Sequence, residues 1–208
     1  MMKAEGQMMN DRDGYAEQVI GELDALRKAI EAFPRQQAEI LVEMAKLMAT
    51  AIESGRVVLT CGNGGSAADA QHIAGELVGR FRRKKLSGYK AFALTTNSSV
   101  VTAIANDFSY DDVFAKQIEA LGSKGDVLLA LSTSGNSPNA IEAISMAASL
   151  GMKTLAFTGA GGGAMAEQAD LAIVVPDDDF ARVQEIHMTL GHILCGLVEE
   201  ILTSPGTA

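Results

Sequence analysis

The sequence predicts an α/β protein, a doubly wound five-stranded parallel sheet preceded by an N-terminal helical pair. Three observations predict it. Five short apolar runs follow Arg56, and helical or glycine-rich stretches separate them. The runs are apolar at successive positions, as in parallel strands covered on both faces. Two stretches with helical spacing precede the first run. At 208 residues and 48% hydrophobic content, the chain fits one domain that buries about 70% of its unfolded surface.

Residues 1–13 are polar and aperiodic, which predicts a disordered, frayed start, with a single domain over 14–208. Between Tyr15 and Phe33, Val19, Leu23, Leu26 and Ile30 recur at spacings of three and four, the helical period. Pro34 breaks that run. A second helix, with Ile40, Leu41, Met44, Leu47 and Met48 on its apolar side, should end near Ser54 before Gly55. Lying outside a complete sheet domain, both helices are expected to offer apolar faces to other subunits. The predicted strands are Val57–Cys61, Ala91–Thr95, Val127–Leu131, Thr154–Phe157 and Leu171–Val175. A closing helix from Phe180 to about Leu202 carries Val183, Ile186, His187, Leu190, Ile193, Leu194, Leu197 and Ile201, and should be mostly buried.

Composition excludes several classes of function. A net charge of −9 and a pI near 4.8 leave no basic face for neutralising a phosphate backbone, so no nucleic acid partner is expected. Residues 1–10 hold no apolar signal core, and no later stretch reads as the roughly 18 uncharged apolar residues of a membrane span. Cys61 and Cys195 are far apart and sit among apolar residues, which points to a reducing, cytoplasmic setting. The basic run Arg80, Arg82, Arg83, Lys84, Lys85 reads as a solvated helix end that complements the dipole.

In a doubly wound sheet ordered 2-1-3-4-5, ligands bind at the carboxyl ends of strands one and three, where the order reverses. Strand one is followed by Gly62-Asn63-Gly64-Gly65-Ser66, and strand three by Ser132-Thr133-Ser134-Gly135-Asn136-Ser137. Each leads into a helix. Glycines let backbone approach a ligand, hydroxyls donate, and helix starts add free N–H groups, so together the loops can cradle an anion. Read as plain structure, Ser66 and Ser137 are helix caps. Neither loop is a nucleotide P-loop, since GxxxxGKS/T is absent, and no GxGxxG follows strand one. The third glycine cluster, Gly159–Gly163, is assigned a structural role away from that crevice.

His72 and Glu76 are four residues apart, which places both on one helical face. In the last helix Gln184, Met188 and His192 form an i, i+4, i+8 row that spans about 12 Å. His187 lies about 140° around from His192, so it reads as packing or as support behind the site. Polar side chains on apolar helices need partners, because an unpaired buried group costs roughly 1–3 kcal/mol. A His/Glu/Gln/His set of nitrogen and oxygen donors suits zinc, although an amide ligand is less usual.

Four segments then take on meaning together: CGNGGSAADAQHIAGELVGRF, AIANDFSYDDVFAKQI, LSTSGNS and ARVQEIHMTLGHILCGLVEE. In order and spacing they resemble the sedoheptulose 7-phosphate (phosphoheptose) isomerase family, built on a sugar isomerase (SIS) domain. The resemblance covers the chain from about residue 15 onward. It implies a homotetramer with one zinc ion per subunit, held by His72, Glu76, Gln184 and His192. It implies sugar-phosphate contacts at Asn63, Gly64, Gly65, Glu76, Asn106, Asp107, Ser132, Thr133, Ser134, Ser137 and Gln184, and acid–base roles for Glu76 and His192. A partner-binding relative of the DnaA initiator-associating type lacks the carboxylate found here at Glu76 and the second helix histidine. Thr60 and the acidic turn Asp177-Asp178-Asp179 belong to none of these motifs.

Overall fold

The computed structural model describes residues 2–79, 81–82, 88–159 and 161–204, in two compact units, Met1–Phe33 and Pro34–Ala208. Of the basic run, all but Arg82 lies outside the described residues. The first unit is helix α1, Met2–Glu31, so the helix starts well before the periodicity predicts, and residues 2–13 belong to it. Tyr15, Val19, Ile20, Leu23 and Ile30 are each more than half exposed.

The second unit holds α2 (Arg35–Glu53), β1 (Val58–Gly62), α3 (Gly65–Val78), β2 (Ala91–Ala93), α4 (Ser98–Asp107), α5 (Ala115–Leu121), β3 (Val127–Ser132), α6 (Pro138–Ser149), β4 (Lys153–Thr158), α7 (Gly163–Gln168), β5 (Leu171–Val174) and α8 (Phe180–Thr203). The five strands pair in the order β2-β1-β3-β4-β5 and every pairing is parallel. Val58 lies beside Ala91 on one side and Val127 on the other, so β1 lies between β2 and β3, and β3 is the central strand. The predicted order holds, and so does the switch point between them.

Alternation along the strands divides the core in two. Leu59, Cys61, Leu128, Ala130 and Ala156 pack with Phe114, Ile118, Ala143, Ile144 and Met165, the side of α5, α6 and α7. On the other face Thr60 Oγ1 donates to the Ala70 carbonyl of α3 at 2.8 Å, and Phe157 meets the His187 ring of α8. Thr60 is therefore a buried tie between strand and helix.

The predicted helical pair divides between the units. In α2, Leu41, Met44 and Met48 are already buried within the second unit. Ile40 and Leu47, the other two residues of its predicted apolar side, are half-buried. Helix α8 is long and apolar enough to cross a membrane by length and composition, which the sequence reading did not anticipate. Val183, Ile186, Leu190, Leu194 and Val198 are nevertheless buried in the fold, the place of a core helix. Ile193 is exposed, while Arg182 and Glu199, not expected inside, are buried. The acidic turn also finds a role: Asp179 caps α8 by accepting from Ala181 N, and Asp177 accepts from Asp179 N.

Candidate active site

The two loops lie where the order of the sheet reverses, and side chains tie them together. Asn63 Nδ2 donates to Asn139 Oδ1 at 2.8 Å, and Asn139 Nδ2 donates back to Asn63 Oδ1 at 2.9 Å. Tyr110 Oη adds a donor to the same Asn63 oxygen at 3.2 Å. Asn139, on the second turn-side of the site at the start of α6, is buried. A reciprocal amide pair satisfies both groups and fixes the distance between the loops.

In the second loop the Ser132 hydroxyl pairs with those of Ser137 at 2.9 Å and Ser134 at 3.3 Å. Ser137 stands at the N-cap of α6 yet makes no side-chain cap bond. Its hydroxyl faces its neighbours; Pro138 has no N–H to offer, and the Ala140 and Ile141 N–H groups donate to the Ser137 carbonyl. Ser66 is not a cap either: Gly64, with φ of 55°, precedes α3.

Gly159–Gly163 proves to adjoin the crevice. A Cβ on Gly135 would fall 2.1 Å from the Gly162 carbonyl oxygen, and one on Gly159 would fall 2.2 Å from that of Thr133. Asn136 Oδ1 accepts from Ala164 N at 3.1 Å, and Gly135 O accepts from Met165 N. The cluster keeps its structural role, but as a buttress under the second loop.

Helices α3 and α8 bring the ionisable groups together. A Cβ on Gly191 would meet Ile73 at 2.9 Å, so glycine there permits the close approach. His72 Nε2 lies 2.8 Å from His192 Nε2 and 3.2 Å from Glu76 Oε1. One donor atom from each of the three residues falls within 4.8 Å of the others. Two facing imidazole nitrogens can share one proton, or both lone pairs can face a cation. Two imidazoles and a carboxylate suit zinc, whose tetrahedral bonds of about 2.0–2.1 Å would set the nitrogens roughly 3.3 Å apart. The three residues therefore fit a metal ion with a small opening.

The Gln184 amide lies against Gly65 in the first loop and hydrogen-bonds Asp69, so the start of α8 meets the loop that follows β1. Asp69 is a residue that sequence reasoning missed. It is buried, and burial pushes its pKa up, offset in part by the Gln184 hydrogen bond and by His72. Its position, three residues before His72 on the same helical face, was the available signal. Asn139 was missed as well, two residues beyond the serine loop. Asn106 and Asp107 close α4 and are exposed, with Asn106 Nδ2 donating to Asp107 Oδ1 at 2.8 Å.

His187 is fully buried, with Nε2 donating to the Thr158 carbonyl at 3.1 Å and its ring against Phe157. Burial lowers its pKa to about 4. It is a neutral packing residue, as the sequence allowed.

The SIS domain family model matches residues 23–159. A phosphoheptose isomerase from Thermodesulfovibrio yellowstonii is 47% identical over 86% of this chain and 92% of its own length. One from a Roseiflexus species is 45% identical over 94% and 98%. The chain belongs to the SIS domain family, among the phosphoheptose isomerases. The solved phosphoheptose isomerase of Neisseria gonorrhoeae superposes with a TM-score of 0.84 at 40% identity, over 89% of this chain and 99% of that one. That of Francisella tularensis gives 0.80 at 34%, over 90% and 97%. Like these phosphoheptose isomerases the chain is an enzyme, and the loops at the sheet's switch point with the His/Glu cluster beside them form its candidate active site.

Proposed function

We propose that the enzyme converts sedoheptulose 7-phosphate to D-glycero-D-manno-heptose 7-phosphate. The observation that carries this reading is the convergence of His72, Glu76 and His192 on the helices that border two anion-cradling loops. The product would feed ADP- or GDP-heptose for a lipopolysaccharide or related surface polysaccharide, in the cytoplasm. Two buried free cysteines, each with its thiol pushed up to about 12 chiefly by burial, are consistent with that compartment.

The reaction moves a proton between C1 and C2 through a cis-enediol. Acid–base catalysis supplies about 10²–10⁴-fold, and even modest enzymes reach about 10⁶-fold, leaving roughly 3–5 kcal/mol to positioning and electrostatics. Zinc, one ion per subunit held by His72, Glu76, Gln184 and His192, supplies charge stabilisation at the sugar oxygens when bound. Glu76 takes the proton from carbon, and His192 is the partner acid/base that moves protons at oxygen. Ser132, Thr133, Ser134 and Ser137 hold the phosphate with hydroxyls, joined by the Asn139 N–H at the start of α6. Asn63, Gly64, Gly65, Asn106 and Asp107 line the sugar.

The exposed apolar stripe of α1 supports a homotetramer. A non-catalytic partner-binding role is not favoured, because Glu76 and His192 are both present and converge. The test offers purified protein sedoheptulose 7-phosphate, fructose 6-phosphate and ribulose 5-phosphate and follows aldose formation by NMR. Heptose 7-phosphate should appear from the first; its absence under zinc-replete conditions would sink the assignment.

A further inference from the structure

We propose that Phe81, anchored by Glu199, is a positioning residue that holds the His192 imidazole in its working orientation. This rests on the role given to His192 above. The Phe81 and His192 rings stack, with centroids 5.6 Å apart and planes within 9° of parallel. The torsion that turns an imidazole about its stem has a broad profile, so a flat face against the ring narrows where Nε2 points. Here Nε2 points at His72.

What holds Phe81 there is a buried carboxylate. Glu199 is 5% exposed, and it accepts from the Phe81 N–H at 3.3 Å and the Arg82 N–H at 3.1 Å. A buried charge needs such bonds. Glu199 lies seven residues beyond His192, two turns along the same face of α8. Gly196 lies between them, and a Cβ on it would reach Phe81 Cε1 at 3.5 Å, so the ring lies along the helix at that turn. The backbone just past α3 is thus tied to the lower part of α8 while its ring reaches up to the histidine. The Arg82 guanidinium, 4.9 Å from the Phe81 ring centroid, adds a cation–π contact that favours the same placement.

The test compares Phe81→Leu, which keeps apolar volume without the flat face, with Phe81→Tyr, which keeps the face. In Phe81→Leu, kcat should fall about tenfold while KM stays within about twofold. Zinc affinity, measured by competition with a chromophoric chelator, should weaken by about tenfold. Phe81→Tyr should rescue both, and Glu199→Ala should follow Phe81→Leu. The His192 ring-proton resonance, assigned by its loss in His192→Gln, should lie upfield through ring current and move downfield in Phe81→Leu alone of the two Phe81 variants. Wild-type kcat and zinc affinity in Phe81→Leu would overturn the proposal, as would equal losses in Phe81→Leu and Phe81→Tyr. The resonance needs neither metal nor turnover, so a wild-type protein that fails to isomerise the sugar would defeat the functional reading while the stacking is still decided.

Discussion

His187 and His192 are five residues apart on α8 and have opposite surroundings. His187 is sealed against Phe157 and β4, whereas His192 faces His72 across the gap between two helices. The first matters to stability. Its folded pKa of about 4 lies below the usual 6.5, so as pH falls through 6.5 the unfolded chain takes up a proton that the folded chain refuses. Stability should therefore drop between about pH 6.5 and pH 4, by up to about 3 kcal/mol from this group. Urea midpoints across that range should show a shallower fall in His187→Leu than in wild type. The second histidine carries the proposed acid–base role. Glu76→Gln and His192→Gln should each lower kcat by at least about 100-fold, and near wild-type turnover in either would remove the acid–base assignment. His72→Ala should lose both bound zinc, by elemental analysis, and most activity.

Among the elements, the loop after β3 is the most constrained. Gly135 has φ of 65° and faces the Gly162 carbonyl, so Gly135→Ala adds backbone strain of about 1–3 kcal/mol and a collision that moves the buttress. Thermal unfolding should register the loss of stability. Ser134→Ala keeps the glycine backbone but removes a hydroxyl that also accepts from Asn136 N at 3.2 Å. It should raise KM for the sugar phosphate by an amount equivalent to about 1–3 kcal/mol, and unchanged affinity would place the phosphate elsewhere.

For the whole molecule, α1 is the open question of assembly. It forms a unit by itself, and Tyr15, Val19, Ile20, Leu23 and Ile30 along it are exposed. An exposed apolar row of this kind marks an interaction surface. Removing residues 1–33 spares α2, which is part of the second unit's core, and should reduce a tetramer to a smaller assembly by light scattering. An unchanged tetramer would move the interface to another face.

By itself the sequence determined the five strand segments, the two glycine- and serine-rich loops and the residues that face one another along each helix. These follow from local periodicity and from which residues can turn a chain, and neither needs a distant partner. It also placed His72 with Glu76, because four residues make one helical turn. Only the tertiary structure decided what crosses between elements: the Asn63–Asn139 amide pair, Gln184 against Gly65 and Asp69, the glycine buttress beneath Gly135, and Glu199 holding Phe81 on His192. The same holds for α2, whose amphipathic pattern fits an interface between subunits as well as its own core. Periodicity reports that a face is apolar, and only packing reports what covers it.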